Sequence, residues 1–413
     1  MNPLIVFVFG ALLTLTSGAM RCEANRWKPT RPVNIWISRD MPDNHYRMIV
    51  KGLDFYSNVT CFKFNTESIS RFYTYEYISS YYDSKDRGVP DQLLVFQYKS
   101  EYGCSSQLGH WDVRHVVRVN LYEGCGQFTT VLHEIGHSLG LIHTQKRPDR
   151  DDYITVKLPE KHSMSFGYQF RKQKFCRRTY GVPYDYGSIM HYNPVAGSPN
   201  RSLPIIIARN PLKQYTMGNE AWPSITDLLL INHHYRCFDN CNQTSSSAVT
   251  CENGGFQNPH DCTRCVCPFG FAGKFCSERA EGSFQGKPCG ETIQASYLWK
   301  SLSYKISTRD LKHANDYDSH SCHWHIKAAP GFKVRVIFKA VGPCHEDKLS
   351  CHNGGTELKT GNFQTGGYKY CCQSQITGIR THEFVSDGNI ALINLDVQYG
   401  TTGFEIVYRQ SVW

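Results

Sequence analysis

Five residues in the run His133-Glu134-Ile135-Gly136-His137-Ser138-Leu139-Gly140-Leu141-Ile142-His143 have the types and spacing of a catalytic metal site. On a helix, side chains four positions apart lie one above the other, so His133 and His137 can each aim a ring nitrogen at one point. Glu134 follows the first of them and can reach a water held there. Gly140 can take a left-handed backbone conformation and end the helix, which lets the chain fold back and bring in His143 as a third donor. Three imidazoles with one open position suit a catalytic zinc; a structural zinc fills all four positions with protein ligands. A bare His-Glu-x-x-His arises by chance in about 3% of chains of this composition, and adding Gly140 and His143 lowers that to roughly one in ten thousand. The chemistry on offer is hydrolysis: a water acidified by the metal, a carboxylate to take its proton, and the same carboxylate to pass it on.

These residues need a scaffold, and the surrounding pattern describes one. Val33–Ile37 alternates like a strand, and Leu93–Tyr98 reads as another. Asp43 is placed to cap a helix that carries Met48, Ile49 and Leu53 on one side. Gly126–Gly140 is the metal-bearing helix, with Phe128, Val131, Leu132, Ile135 and Leu139 as its buried stripe. Ser224-Ile225-Thr226-Asp227 resembles a capping sequence that opens a last helix through Ile231 to Tyr235. Strands followed by helices without regular alternation predict an α+β domain, from about Asn25 to Cys237, split by a cleft.

The 413 residues are too many for one compact core and suggest further domains. Cys241 to Cys276 holds six cysteines around Asn253-Gly254-Gly255 and Gly270-Phe271-Ala272-Gly273, a piece that only disulfides can hold together. Cys289–Trp413 is strand-rich, with Phe332–Val341, Ile393–Tyr399 and Phe404–Tyr408 all alternating, and a β-sandwich is the natural reading. The apolar stretch Leu4–Leu15 followed by Ser17-Gly18-Ala19 reads as a signal peptide, too short to span a bilayer. With 18 cysteines the chain fits an oxidising compartment, so secretion to the extracellular space is expected and no membrane span is. Asn58, Asn200 and Asn242 begin sequons for N-glycosylation. The net charge of +9 is modest, and its densest cluster is Arg171, Lys172, Lys174, Arg177 and Arg178. In a secreted protein that cluster does not argue for nucleic acid; a solvated loop and a contact with anionic extracellular matrix both remain open.

The full run His133–Asp151 resembles the long zinc signature of the astacin metallopeptidases, and Tyr184-Asp185-Tyr186-Gly187-Ser188-Ile189-Met190-His191-Tyr192 looks like that family's Met-turn. The modules that follow resemble an EGF-like unit and a CUB-like unit, the order found in many secreted invertebrate astacins. The resemblance implies a two-lobed metzincin catalytic domain and a zinc endopeptidase acting on protein or peptide substrates with one zinc per chain. It implies His133, His137 and His143 as ligands, Glu134 as the catalytic carboxylate, Met190 as the apolar floor and Tyr192 as a displaceable ligand able to donate to an oxyanion. It further implies disulfides Cys61–Cys237, Cys104–Cys125, Cys241–Cys262, Cys251–Cys265, Cys267–Cys276 and Cys289–Cys322. Cys344, Cys351, Cys371 and Cys372 stay unassigned. The expected division is 1–19 signal peptide, 20–24 short N-terminal arm or vestigial propeptide, 25–238 peptidase, 239–277 EGF-like and 289–410 CUB.

The chain departs from that pattern in several places. Astacins usually place Glu after the third histidine, paired with the processed amino terminus; Thr144 stands here and cannot form that ion pair. The stretch Met20–Pro32 offers no Asp of the kind that a family prosegment presents to zinc. Cys22 and Cys176 are left over, so a Cys22–Cys176 tether and a Cys22 thiolate on the metal are both open. The Tyr-rich stretch Phe72–Tyr82 (Tyr73, Tyr75, Tyr77) reads as an edge strand or a substrate platform. A rival from another class is an inert matrix-binding or adhesion protein, against which the intact His133, His137, His143 and Glu134 argue.

Overall fold

A computed structural model describes residues 27–72, 92–110, 116–159, 164–173, 178–198, 203–218, 222–241, 249–308, 320–343, 349–398 and 400–412. The expectations placed on 1–24, on Cys22, Tyr73, Tyr75 and Tyr77, on Lys174, Cys176 and Arg177, on Asn200 and Asn242, and on Cys344 fall outside those residues.

The first unit is built on a five-stranded sheet of β1 (Val33–Ser38), β2 (Phe64–Phe72), β3 (Leu93–Gln97), β4 (Ser105–Ser106) and β5 (Val116–Asn120), in the order β2-β1-β3-β5-β4. β1 runs parallel to β2 and β3, and β3 parallel to β5, while β4 runs antiparallel to β5 at the edge. Leu93, Leu94, Val95 and Phe96 are buried on both faces of β3, which explains why that strand reads as a continuous apolar run. The first helix, Asp43–Val59, crosses one face and packs on the central helix, Phe128–Ser138. Asp43 is the first helical residue and not the cap: Pro42 occupies that position, with no side-chain capping bond. Proline has φ preset and needs no donor there, so the chain turns into the helix without an Asp oxygen.

A smaller apolar cluster lies apart from the main one, around Ile154, Phe170, Tyr184, Tyr186, Ile206 and Met217. It includes the short antiparallel pair of β6 (Ile154–Val156) and β7 (Ile206–Ala208), strands far apart in sequence. The main core, which takes the central helix's apolar stripe, and this smaller cluster mark the two lobes. The last helix, Ile225–His234, opens on a capping box in which the Ser224 side chain accepts from Asp227 N and the Asp227 side chain from Ser224 N. Disulfides Cys61–Cys237 and Cys104–Cys125 close this unit.

Among its described residues the second unit has only two-residue strands, β8 (Phe256–Gln257) with β9 (Cys265–Val266) and β10 (Phe271–Ala272) with β11 (Glu278–Arg279). Cys241–Cys262, Cys251–Cys265 and Cys267–Cys276 hold it, as so small a piece requires. Phe256 and Val266 join the main core of the first unit, and Asn258 Nδ2 donates to the Asn58 carbonyl at 2.8 Å.

The third unit is a sandwich. One sheet holds β12 (Gly282–Phe284), β13 (Lys287–Cys289), β14 (Thr292–Gln294), β16 (His320–Lys327), β18 (Gly354–Lys359), β19 (Tyr368–Tyr370) and β21 (Ile390–Val397). The other holds β15 (Lys300–Ser307), β17 (Lys333–Val341), β20 (Phe384–Val385) and β22 (Thr401–Ser411). Trp324, Phe338, Leu395 and Ile406 fill the space between them. The sheet takes its first strand from Gly282, ahead of the expected start at Cys289, because β12 and β13 form a hairpin whose first strand also pairs with β16. Cys289–Cys322 pins that hairpin, Cys351 pairs with Cys371, and Cys372 is also disulfide-bonded. No helix among the described residues is long and apolar enough to cross a membrane.

Candidate active site

The central helix buries Phe128, Val131, Leu132, Ile135 and Leu139, each worth about 1.5–3 kcal/mol on transfer from water. That stripe fixes the rotation of the helix, and the rotation decides where His133, Glu134 and His137 point. The helix ends in a Schellman motif: Gly140 has φ +100°, its N–H donates to the His137 carbonyl, and Leu141 N donates to the Gly136 carbonyl. The reversal that Gly140 permits returns His143 to the helix it just left.

His133 Nε2 lies 3.3 Å and His137 Nε2 3.1 Å from His143 Nε2. Donor atoms of all three rings lie within 4.8 Å of one another, which makes them a group able to hold one metal ion. The far nitrogens of two rings are committed, His133 Nδ1 to the Ile189 carbonyl at 2.8 Å and His137 Nδ1 to the Leu141 carbonyl at 2.7 Å. Donation from Nδ1–H leaves each Nε2 with a lone pair facing its neighbours. Burial lowers the basicity of all three rings, His137 to about 3, and the neighbouring imidazoles add to the effect on His137 and His143. The rings are therefore neutral at physiological pH, and converging lone pairs at these distances call for a cation. Zinc bound tetrahedrally at about 2.0–2.1 Å from each nitrogen would want those nitrogens about 3.3 Å apart. The donor set fits it.

Glu134 is 4% exposed, and its Oε2 is buried with no hydrogen-bond donor among the described residues. Burial raises its carboxyl to about 8. Tyr192 is half-buried with its ring 4.3 Å from that of His143, and burial together with the Glu134 charge raises its phenol, so it keeps its proton. Met190 is buried, and its sulfur lies 3.4 Å from where a side chain on Gly136 would begin.

The turn carrying Met190 and Tyr192 is held by residues that sequence reasoning missed. Asp227 Oδ1 accepts from Ser188 Oγ at 2.6 Å and Oδ2 from Ile189 N at 3.0 Å. Ser188 Oγ in turn accepts from Met190 N and from Thr144 Oγ1. Thr144 N also donates to the Met190 carbonyl at 2.9 Å. Thr144 thus belongs to a neutral hydrogen-bond chain ending on a buried carboxylate. The only sequence signal for Asp227 was its place in the capping box, which says nothing of the turn it reaches. Arg147 was missed too: it is 3% exposed, pairs with Asp149 and donates to the Val182 and Pro183 carbonyls. A cleft of about 830 Å³ lined by Phe55, Trp222, Pro223 and Phe271 contains none of these groups, so it is the chemistry and not the volume that marks the site.

Burial, with the nearby Asp185 charge, raises Asp227 to about 6 even though Ser188, Ser224 and Ile189 donate to it. A carboxyl raised by folding favours the fold while protonated, fully below the usual carboxylate range, and that contribution is lost as pH rises through about 6. Wild-type stability relative to Asp227→Asn is expected to fall by up to about 3 kcal/mol between about pH 3.5 and pH 7. Urea midpoints across that range measure it, and a difference that stayed flat would refute the assignment.

A family model described as Astacin, a peptidase family, matches residues 19–236. Zinc metalloproteinase nas-27 of Caenorhabditis elegans is 28% identical over 398 residues, covering 94% of this chain and 86% of that protein. Zinc metalloproteinase nas-31 of the same organism is 34% identical over 312 residues, covering 74% of this chain and 47% of that protein. The chain spans about half the length of nas-31 and, at 53%, of nas-23. Among solved structures, high choriolytic enzyme 1, a hatching enzyme zinc-protease from Oryzias latipes (medaka fish), is 24% identical with a TM-score of 0.42, covering 53% of this chain and 99% of that one.

Proposed function

The chain belongs to the astacin family of peptidases, and from that premise we propose that it is a secreted zinc endopeptidase cutting extracellular or matrix proteins, with Glu134 as its general base and acid. The single observation that carries this reading is the meeting of three imidazole nitrogens in the helix turn that also carries Glu134, whose buried Oε2 has no donor among the described residues. His133, His137 and His143 would hold the zinc. When bound, the ion supplies a Lewis acid that acidifies water and polarises a carbonyl.

The rest is done by side chains. Glu134, whose ionised form a cation held by the three imidazoles would favour, takes the proton of the attacking water and delivers it to the departing amine. Tyr192, held as a phenol, donates to the developing oxyanion, an effect worth on the order of 3 kcal/mol per donor. The Ile189 carbonyl on His133 Nδ1 and the Leu141 carbonyl on His137 Nδ1 keep those rings aimed. β4 ends the sheet order, and Gly109 just beyond it donates to the His137 carbonyl, so an extended peptide added to that edge would run toward the imidazoles.

Seven disulfides joining described residues support an extracellular setting. We assign 25–238 to the peptidase, 239–277 to the EGF-like unit and the remaining strands to the CUB-like unit, with glycans at Asn58, Asn200 and Asn242 and a matrix contact at the Arg171–Arg178 cluster as part of the same reading. Cleavage-site mapping tests it. Zinc-loaded full chain incubated with extracellular matrix proteins is expected to produce new termini inside the chains. Trimming confined to chain ends, or no cutting of such proteins while short peptides are cut, would overturn it.

A further inference from the structure

The loop between β18 and β19 in the third unit reaches back to the turn that carries Met190. Gly366 N donates to Asp185 Oδ1 at 2.7 Å, across 181 positions of sequence, and Lys213 Nζ donates to the Gly366 carbonyl at 2.6 Å. Both backbone groups of Gly366 are thus held by the peptidase unit. Thr216 Oγ1 donates to the Gly367 carbonyl at 2.8 Å, and Tyr370 OH to the Leu212 carbonyl at 3.1 Å. Lys213 Nζ also sits 4.3 Å from the centre of the Tyr368 ring. The contact leaves no room for a side chain: a Cβ added to Gly366 would lie 2.7 Å from Gly187 Cα, and one added to Gly187 would lie 2.7 Å from Gly366 Cα.

Asp185 is 2% exposed. Its carboxylate accepts three hydrogen bonds: from Gly366 N, from Gly187 N at 2.8 Å within its own turn, and from Thr226 Oγ1 at 2.8 Å on the last helix. Gly187 leads directly into Ser188, which is tied to Asp227, and Ile189, whose carbonyl receives His133 Nδ1. One buried carboxylate therefore joins the sandwich to the backbone that orients a metal-binding ring.

We propose that the β18–β19 loop is a built-in brace for the peptidase site, with Gly366 locking Asp185 and Asp185 locking the turn at Gly187–Tyr192. On this account the β18–β19 loop of the sandwich helps to position the peptidase site. Asp185 is a positioning residue: it touches neither metal nor substrate and acts through the turn. The inference rests on the reading of His133, His137 and His143 as the zinc site.

The test uses the full chain loaded with zinc and a short peptide that fills only the cleft. Gly366→Ala adds a methyl that the Gly187 backbone cannot admit, so the loop must lift from the turn. The expected result is a kcat lowered about tenfold with KM within twofold, together with amide exchange at Gly187–Tyr192 about tenfold faster. Gly378→Ala, where an added methyl meets nothing within 4 Å, is the control and behaves as wild type. If exchange in β16 and β21 shows that Gly366→Ala has unfolded the sandwich, Lys213→Met decides: it removes a donor to Gly366 without adding bulk in the turn. It is then expected to speed exchange at Gly187–Tyr192 about threefold, with Lys213→Arg restoring protection. Unchanged exchange in the turn, in whichever variant keeps the sandwich folded, overturns the proposal. A wild-type protein without zinc or activity would instead defeat the zinc-site reading, and the exchange readout separates the two failures because it needs no turnover.

Discussion

Glu134→Gln is expected to lower kcat on a peptide substrate by about 10³–10⁴-fold while the protein still binds one zinc. Gln has nearly the same shape as Glu, so the buried space at position 134, only 4% exposed, is filled without strain. What is lost is the proton relay: a carboxamide can neither take a proton from water nor return one to an amine. The three imidazoles keep their places, two of them on their carbonyl partners at Ile189 and Leu141, so metal content and the melting temperature of the zinc form should be those of the wild type. Metal analysis and single-turnover kinetics on the same preparation check both halves. A variant that kept more than about a tenth of wild-type kcat would remove Glu134 from the mechanism. Equal background activity in variant and wild type, both carrying zinc, would favour the inert adhesion protein.

His137→Ala is expected to abolish zinc binding at micromolar metal and, with it, the stabilisation that zinc confers. A ligand present at a thousand times its Kd raises stability by about 4 kcal/mol, so wild-type protein should melt several degrees higher with zinc than after chelation. The variant should show no such difference. Two imidazoles and a void make a poor site, and the Leu141 carbonyl, which now receives His137 Nδ1 at 2.7 Å, would lose its partner. The apo variant should therefore also be less stable than the apo wild type, by about 1–3 kcal/mol for a buried acceptor left unmatched. Calorimetry with and without a chelator reads both effects. A zinc-dependent rise of wild-type size in the variant would exclude His137 as a ligand.

Much of the site could be read from the chain because its geometry is local. The four-residue spacing of His133 and His137 becomes a shared face as soon as the stripe Phe128–Leu139 makes the helix, and Gly140 at φ +100° is the reversal that its lack of a side chain permits. Ser224 and Asp227 form the capping box that their spacing announced, again within one turn of helix. Asp43 is the counter-example: an acidic residue at a helix start resembles a cap, but the preceding proline took the position.

The amino-acid sequence by itself determined the metal-binding trio, the carboxylate beside it, the α+β class and the succession of three units, all consequences of neighbours along the chain. Tertiary structure alone decided what holds the Met190 turn in place. Thr144 finding Ser188, Asp227 reaching Ile189 and Asp185 meeting Gly366 span 44, 38 and 181 positions. No periodicity encodes such pairs: a buried carboxylate takes whichever donors the packed backbone brings to it, and only the finished fold says which those are.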